Sequence, residues 1–145
     1  MINNEYVIKN IDTNKMTEEQ SLKALEEINI HGRCDSPYIV KYFDSFVDDQ
    51  GQLNIVLEYW DNSDLHTYLI SLKHYLKEEQ IWSFFIQIML GVNHLHSQNM
   101  LHRDLKSLNI FLTGDNRIRI GDLGSATHSF DDNGIDGKWK HRLMQ

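Results

Sequence analysis

The chain has 145 residues, 41% of them hydrophobic, and 14 Lys plus Arg against 21 Asp plus Glu give a net charge of −7. That length admits one compact domain or part of a larger one, and the apolar content excludes a disordered chain. The acidic balance gives no reason to expect nucleic-acid binding, which needs clustered Lys and Arg, and the single cysteine, Cys34, excludes an internal disulfide and reads as an intracellular, cytoplasmic setting.

Residues 1–5 show no charged-then-apolar leader. Residues 6–11, Tyr6-Val7-Ile8-Lys9-Asn10-Ile11, are β-branched and apolar and predict a strand. Thr17-Glu18-Glu19-Gln20 forms a capping box that opens a helix, with Leu22, Leu25 and Ile28 at helical spacing and Gly32 as its stop. Strands are expected at 39–47 and 53–59, joined by the turn Asp48-Asp49-Gln50-Gly51, with Leu53, Ile55, Leu57 and Tyr59 alternating onto one face.

From residue 62 the pattern becomes helical. Asn62-Ser63-Asp64 caps a helix to Leu72, and a longer helix runs over 78–96 with Ile81, Phe85, Ile88, Val92 and Leu95 on one face. The apolar run 81–92 contains Ser83, Gln87 and Gly91 and is too short to span a bilayer, so no membrane is expected as a partner. A hairpin follows, with strands 110–112 and 117–120 around Gly114-Asp115-Asn116. This order predicts an α+β fold and argues against a doubly wound sheet.

The chemistry is concentrated in His102-Arg103-Asp104-Leu105-Lys106-Ser107-Leu108-Asn109 and, beyond the hairpin, Asp122-Leu123-Gly124. Moving a phosphoryl group needs a carboxylate near the attacking hydroxyl, oxygen ligands for Mg²⁺ and a cation on the phosphate. Two acids, one amide and one lysine supply these. A single loop Asp is ordinarily a solvated turn residue, but H-R-D-x-K-x-x-N, a hairpin, then D-x-G is too specific a pattern for that. The pattern resembles the catalytic loop and metal-binding motif of eukaryotic protein kinases over about residues 6–124. Within that family it is most similar to the NIMA-related group, through His102–Thr113 and through Ser36-Pro37-Tyr38-Ile39-Val40 onward to Phe46.

The resemblance implies a protein-kinase-like fold with a partial N-lobe over 1–59 and the start of a C-lobe over 60–124. It leaves 125–145 as an atypical activation-segment or tail region. It implies a Ser/Thr protein kinase that uses ATP and Mg²⁺ on a protein substrate. Asp104 takes the catalytic-loop position and Lys106 the γ-phosphate lysine. Asn109 and Asp122 take the metal positions, and Arg103 the contact to a phosphorylated activation segment. Leu123 stands where Phe is usual. Tyr6-Val7-Ile8-Lys9 matches the strand whose lysine holds the α- and β-phosphates. Its helix partner is Glu27, with Glu26 the competitor one residue, or 100°, away. Leu57 takes the gatekeeper position, and the backbones of Glu58 and Trp60 bond the adenine edge. Asp64 reaches the ribose or simply caps its helix. His94, His96 and His102 look like metal-ligand spacing, but His96 and His102 match core histidines of the family that pack near the catalytic loop, so no zinc site is expected.

Within the 145 residues no G-x-G-x-x-G stands ahead of Lys9 and no A-P-E-like end follows residue 124; Lys138-Trp139-Lys140-His141-Arg142 matches no family motif. The resemblance therefore implies the middle of a kinase domain, with weak ATP grip and poor turnover by this chain alone. An alternative is a noncatalytic kinase-derived binding piece. Either way, uncovered apolar surface predicts self-association or a covering partner.

Overall fold

In the computed structural model, residues 5–60, 63–115 and 117–128 are described. Strand β1 (Tyr6–Asp12) pairs antiparallel with β3 (Gln52–Glu58), and β3 pairs with β2 (Tyr42–Val47), so the sheet order is β1-β3-β2. The β2–β3 turn closes as composition predicts. Asp48 Oδ1 accepts from the amides of Gln50 and Gln52, both at 2.9 Å, and Gly51 supplies a φ of 75°. Leu53, Ile55 and Leu57 are buried on one face, packed with Ala24 and Val40. Tyr59 lies beyond the strand and is exposed.

Strand β2 starts three residues later than expected. Ile39 bridges Ile120 in parallel instead. Val40 N–H donates to Ile120 O and Ile120 N–H to Tyr38 O, each at 2.8 Å. The segment before β2 thus fastens the first half of the chain to the later hairpin, which takes it out of the sheet.

Helix α1 (Glu18–Gly32) begins at the capping box. Gln20 N–H donates to Thr17 Oγ1 at 3.2 Å and Thr17 N–H to Gln20 Oε1 at 2.8 Å. Its buried face is not the expected one. Leu22 and Leu25 are 61% and 60% exposed, whereas Ala24, Glu27, Ile30 and His31 are buried. The helix is rotated so that a carboxylate, rather than two leucines, meets the sheet.

Helix α2 (Leu65–Ser71) is capped by Asp64; Asn62, also expected there, lies outside the described residues. Helix α3 (Glu78–Ser97) has the expected span, but Phe84, Gly91 and Leu95 are its buried residues, while Ile81 and Phe85 are exposed. Only the second half of the expected stripe faces a core. Asn99, with φ 57°, ends this helix in the left-handed conformation that asparagine tolerates. Strands β4 (Met100–Leu101), β5 (Ile110–Leu112), β6 (Ile118–Ile120) and β7 (Thr127–His128) follow; β5 pairs with β6, and β4 with β7. The β4–β7 ladder has two residues per strand, too short for any periodicity to signal. The central core joins Ile30, Ile39, Leu95, Met100, Ile120 and Leu123. Cys34 belongs to it, and burial pushes its thiol up to about 11, so it is held as an inert thiol. Asn116 and the tail from Ser129 to Gln145 lie outside the described residues. Among the described residues no helix is long and apolar enough to cross a membrane.

Candidate active site

The site is built where β1, α1 and the segment after β6 meet. Lys9 sits in β1 with Glu27 beneath it on α1, and Lys9 Nζ lies 2.6 Å from Glu27 Oε1. The same ammonium is 3.5 Å from Asp122 Oδ1. Glu27 is buried and Asp122 half exposed, so the cation bridges an inner and an outer carboxylate. Glu26 instead faces outward and accepts from Thr127 Oγ1 at 3.4 Å, which decides between the two adjacent acids. Gly124 makes room for the cluster. A Cβ there would lie 3.1 Å from Glu27 Oε2 and 3.3 Å from Asp122 Oδ1.

Asp122 itself has φ 54° and ψ 68°. A non-glycine residue in this region carries strain that the surroundings must hold. The hold is visible next door. Gly121 N–H donates to Asn109 O at 3.0 Å, and Gly121 O accepts from His102 Nε2 at 3.0 Å. His102 is buried, and its Nδ1 accepts from Asp104 N–H at 3.3 Å. One imidazole therefore ties the loop of Asp104 to the residue before Asp122. His96 behaves differently from the expectation. It is exposed in the last turn of α3, because Leu95, 100° away, takes the core position.

Around Asp104 the donors converge. Lys106 Nζ reaches its Oδ2 at 2.7 Å and Asn109 Nδ2 the same oxygen at 3.1 Å, while Asn109 Nδ2 also bonds Asp104 O at 2.9 Å. The Lys106 ammonium holds the Asp104 carboxyl below the usual carboxylate range, against partial desolvation and with help from Asn109. Lys106→Met is accordingly expected to move the Asp104 titration upward, back towards the ordinary carboxylate range. Carbon-13 NMR of the carboxyl checks this, and an unmoved midpoint would exclude Lys106 as the cause. Arg103, at φ 63°, donates from Nε to Ser125 O at 2.6 Å. It thus holds the backbone just after the Asp122 motif.

A cleft of about 380 Å³ opens beside the Lys9 pair, lined by Val7, Leu57, Trp60, Phe111, Asn109 and Asp122 among others. Trp60 stacks on Phe111 with centroids 4.1 Å apart. Leu57 and Trp60 thus border the cleft. Glu58 is not among the lining residues; its N–H donates to Lys41 O at 2.8 Å and its carboxylate pairs with Arg119 at 3.2 Å. Asp64 is not among the lining residues. Its two oxygens accept from Thr67 N–H at 2.8 Å and Thr67 Oγ1 at 2.9 Å, so the helix-cap reading is the one its contacts follow. Phe111 was missed in the sequence; it is the middle residue of β5, two residues after Asn109, which lies in the turn before the strand. His31, another lining residue, was also missed; it lies one helical turn after Glu27.

The cleft therefore offers a cation held between two carboxylates, an apolar and aromatic slot beside it, and a loop of acid, lysine and amide joined to it through Asn109. That is the equipment of a phosphate-handling site. A family model described as a protein kinase domain matches residues 2–136, and the chain belongs to the protein kinase family. The match extends past both ends of the 6–124 stretch read from motifs.

Among curated proteins the chain is 38% identical over 122 residues to serine/threonine-protein kinase Nek1 of Mus musculus, covering 83% of this chain and 10% of that protein. It is 40% identical over 125 residues to serine/threonine-protein kinase Nek3 of Mus musculus, covering 86% of this chain and 24% of that one. It is 35% identical over 128 residues to serine/threonine-protein kinase Nek6 of Oryza sativa subsp. japonica, covering 88% and 24%. These relatives bear out the likeness to the NIMA-related group, and the chain spans 10–24% of their length.

Proposed function

We propose that this chain carries the ATP-binding and catalytic-loop portion of a protein serine/threonine kinase, with residues 1–59 as partial N-lobe and 60–124 as the start of the C-lobe. The observation that carries the reading is the 2.6 Å contact between Lys9 and Glu27, with Asp122 completing the cluster at 3.5 Å. A buried glutamate that fixes a lysine at the mouth of a cleft positions its ammonium for the α- and β-phosphates. The adenine enters between Val7 and Phe111, bounded by Leu57, with the backbones of Glu58 and Trp60 at its edge.

The residues present suit Mg²⁺. Asn109 spends its amide nitrogen on Asp104, which leaves its oxygen free of that bond, and Asp122 has a half-exposed carboxylate; hard oxygen donors are what the ion takes. When bound, Mg²⁺ neutralises charge on the phosphate oxygens. The chain's own groups do the rest. Asp104 orients the substrate hydroxyl and accepts its proton as the oxygen bonds to the γ-phosphorus. Lys106, beside Asp104, stabilises the charge on the γ-phosphate, and the bond from phosphorus to the β–γ bridging oxygen breaks to release ADP. A lysine at this place favours Ser and Thr hydroxyls. The single buried cysteine accords with an intracellular, cytoplasmic setting.

Isothermal titration calorimetry tests the reading. ATP is expected to bind weakly and only with Mg²⁺, and Asp122→Ala to abolish the binding. Tight binding without Mg²⁺, or binding indifferent to Asp122, would count against it. A second reading, a kinase-derived binding piece, is favoured by the exposed apolar residues of α3, among them Ile81, Trp82, Phe85 and Met89. In that case self-association or a covering partner is the activity, read by size-exclusion chromatography.

A further inference from the structure

His31 stands four residues after Glu27 on α1, so both side chains lie on one face. It is 2% exposed, its ring is 6.2 Å from that of Tyr42, and its Nε2 lies 2.7 Å from Val40 O. A carbonyl only accepts, so Nε2 carries the hydrogen, and the neutral ring leaves Nδ1 as a bare lone pair. That Nδ1 is buried and has no hydrogen-bond partner among the described residues. Burial pushes the imidazole below its ordinary pKa, which keeps it neutral. Lys9 acts in the same direction, while the Val40 carbonyl, Glu27 and Asp122 oppose it.

An orphaned buried nitrogen destabilises a fold, and Leu or Met would fill similar space without one. What the imidazole does that they cannot is donate to Val40. That bond begins a backbone run towards the site. Val40 N–H reaches Ile120 O at 2.8 Å, Gly121 N–H reaches Asn109 O at 3.0 Å, and Asp122 comes next in the chain. Apolar contacts press α1 onto the sheet; a directional bond adds a constraint on its rotation.

We propose that His31 is a positioning residue that locks the rotation of α1, keeping Glu27 against Lys9 and in register with the strand that leads to Asp122. Only its effect on rate rests on the kinase reading; the positioning rests on geometry. Nitrogen-15 NMR of the Lys9 ammonium tests it in the wild type, His31→Leu and His31→Gln, since Gln keeps a side-chain N–H donor. In His31→Leu the resonance is expected to move to where Glu27→Gln places it, with the thermal midpoint at or above wild type. In His31→Gln it stays close to wild type. Phosphoryl transfer is expected to fall about tenfold to a hundredfold in the Leu variant, to recover in the Gln variant, and to fall no further when His31→Leu is added to Glu27→Gln. An unmoved resonance in folded His31→Leu, or Leu and Gln variants that behave alike, overturns the proposal. If the Leu variant does not fold, His31→Asn, too short to reach Val40, takes its place, and equal Asn and Gln resonances overturn it. A wild type that transfers no phosphate but shows the His31-dependent resonance refutes the kinase reading and leaves the positioning role standing.

Discussion

Asp104→Ala is expected to lower phosphoryl transfer by about two to four orders of magnitude, the range that a positioned general base contributes. The loss should fall on kcat, because the Asp104 carboxylate is not among the groups lining the cleft beside Lys9. Nor should the fold suffer. Asn109 Nδ2 loses the Asp104 carboxylate at 3.1 Å but keeps the Asp104 backbone carbonyl at 2.9 Å, so the loop retains its cross-tie. His102 keeps its bond to Gly121. Steady-state kinetics on the full protein, with Mg-ATP affinity measured alongside, separates the cases. A lowered kcat with affinity unchanged places Asp104 at the reacting hydroxyl. Near wild-type kcat removes it from the mechanism.

The largest effect on stability is expected where α3 meets β6. Ile120 is fully buried, and a Cβ added to Gly91 would lie 2.7 Å from Ile120 Cδ1 and 3.1 Å from Tyr38 O. Ile120→Ala empties that space and should cost about 2–5 kcal/mol. Gly91→Ala crowds it and should cost about 1–3 kcal/mol, partly offset by alanine's better helix propensity. The double variant is expected to be more stable than the sum implies, because the new methyl occupies part of the volume that Ile120 vacates. The rescue stays incomplete, since the Tyr38 carbonyl does not move with Ile120. Urea denaturation of the four proteins gives the coupling. Additivity within about 0.5 kcal/mol would mean that the two sites do not share space. Either single loss is large against a total of about 5–15 kcal/mol. It would also loosen the strand before Asp122, so that stability and nucleotide binding fall together.

The elements were largely legible in the sequence because their signals are local. The Thr17–Gln20 capping box, the Asp48–Gly51 turn, the Asp64 cap and the span of α3 all formed as read. What failed was the facing of helices. Leu22, Leu25, Ile81 and Phe85 obey helical spacing yet lie exposed. Helical spacing names a stripe but not what the stripe meets. The β4–β7 ladder was invisible because two residues carry no period. The late start of the strand predicted from Ile39 came from a partner 81 residues away, Ile120, which no local pattern contains.

The types and order of the chemical groups were determined by the sequence alone. Asp104, Lys106, Asn109 and Asp122 are recognisable because their types suit phosphoryl transfer and their spacing resembles the catalytic loop and metal-binding motif of protein kinases. Which groups touch, only the tertiary structure decided. Glu26 and Glu27 are chemically identical, and α1 carries apolar residues on more than one side. The choice was made by the rotation of one helix, set by Lys9 on one strand, by His31 bonded to Val40, and by the close approach that Gly124 permits. Residues distant in the chain exert these constraints together, and a carboxylate 100° away on the same helix turn falls outside their reach.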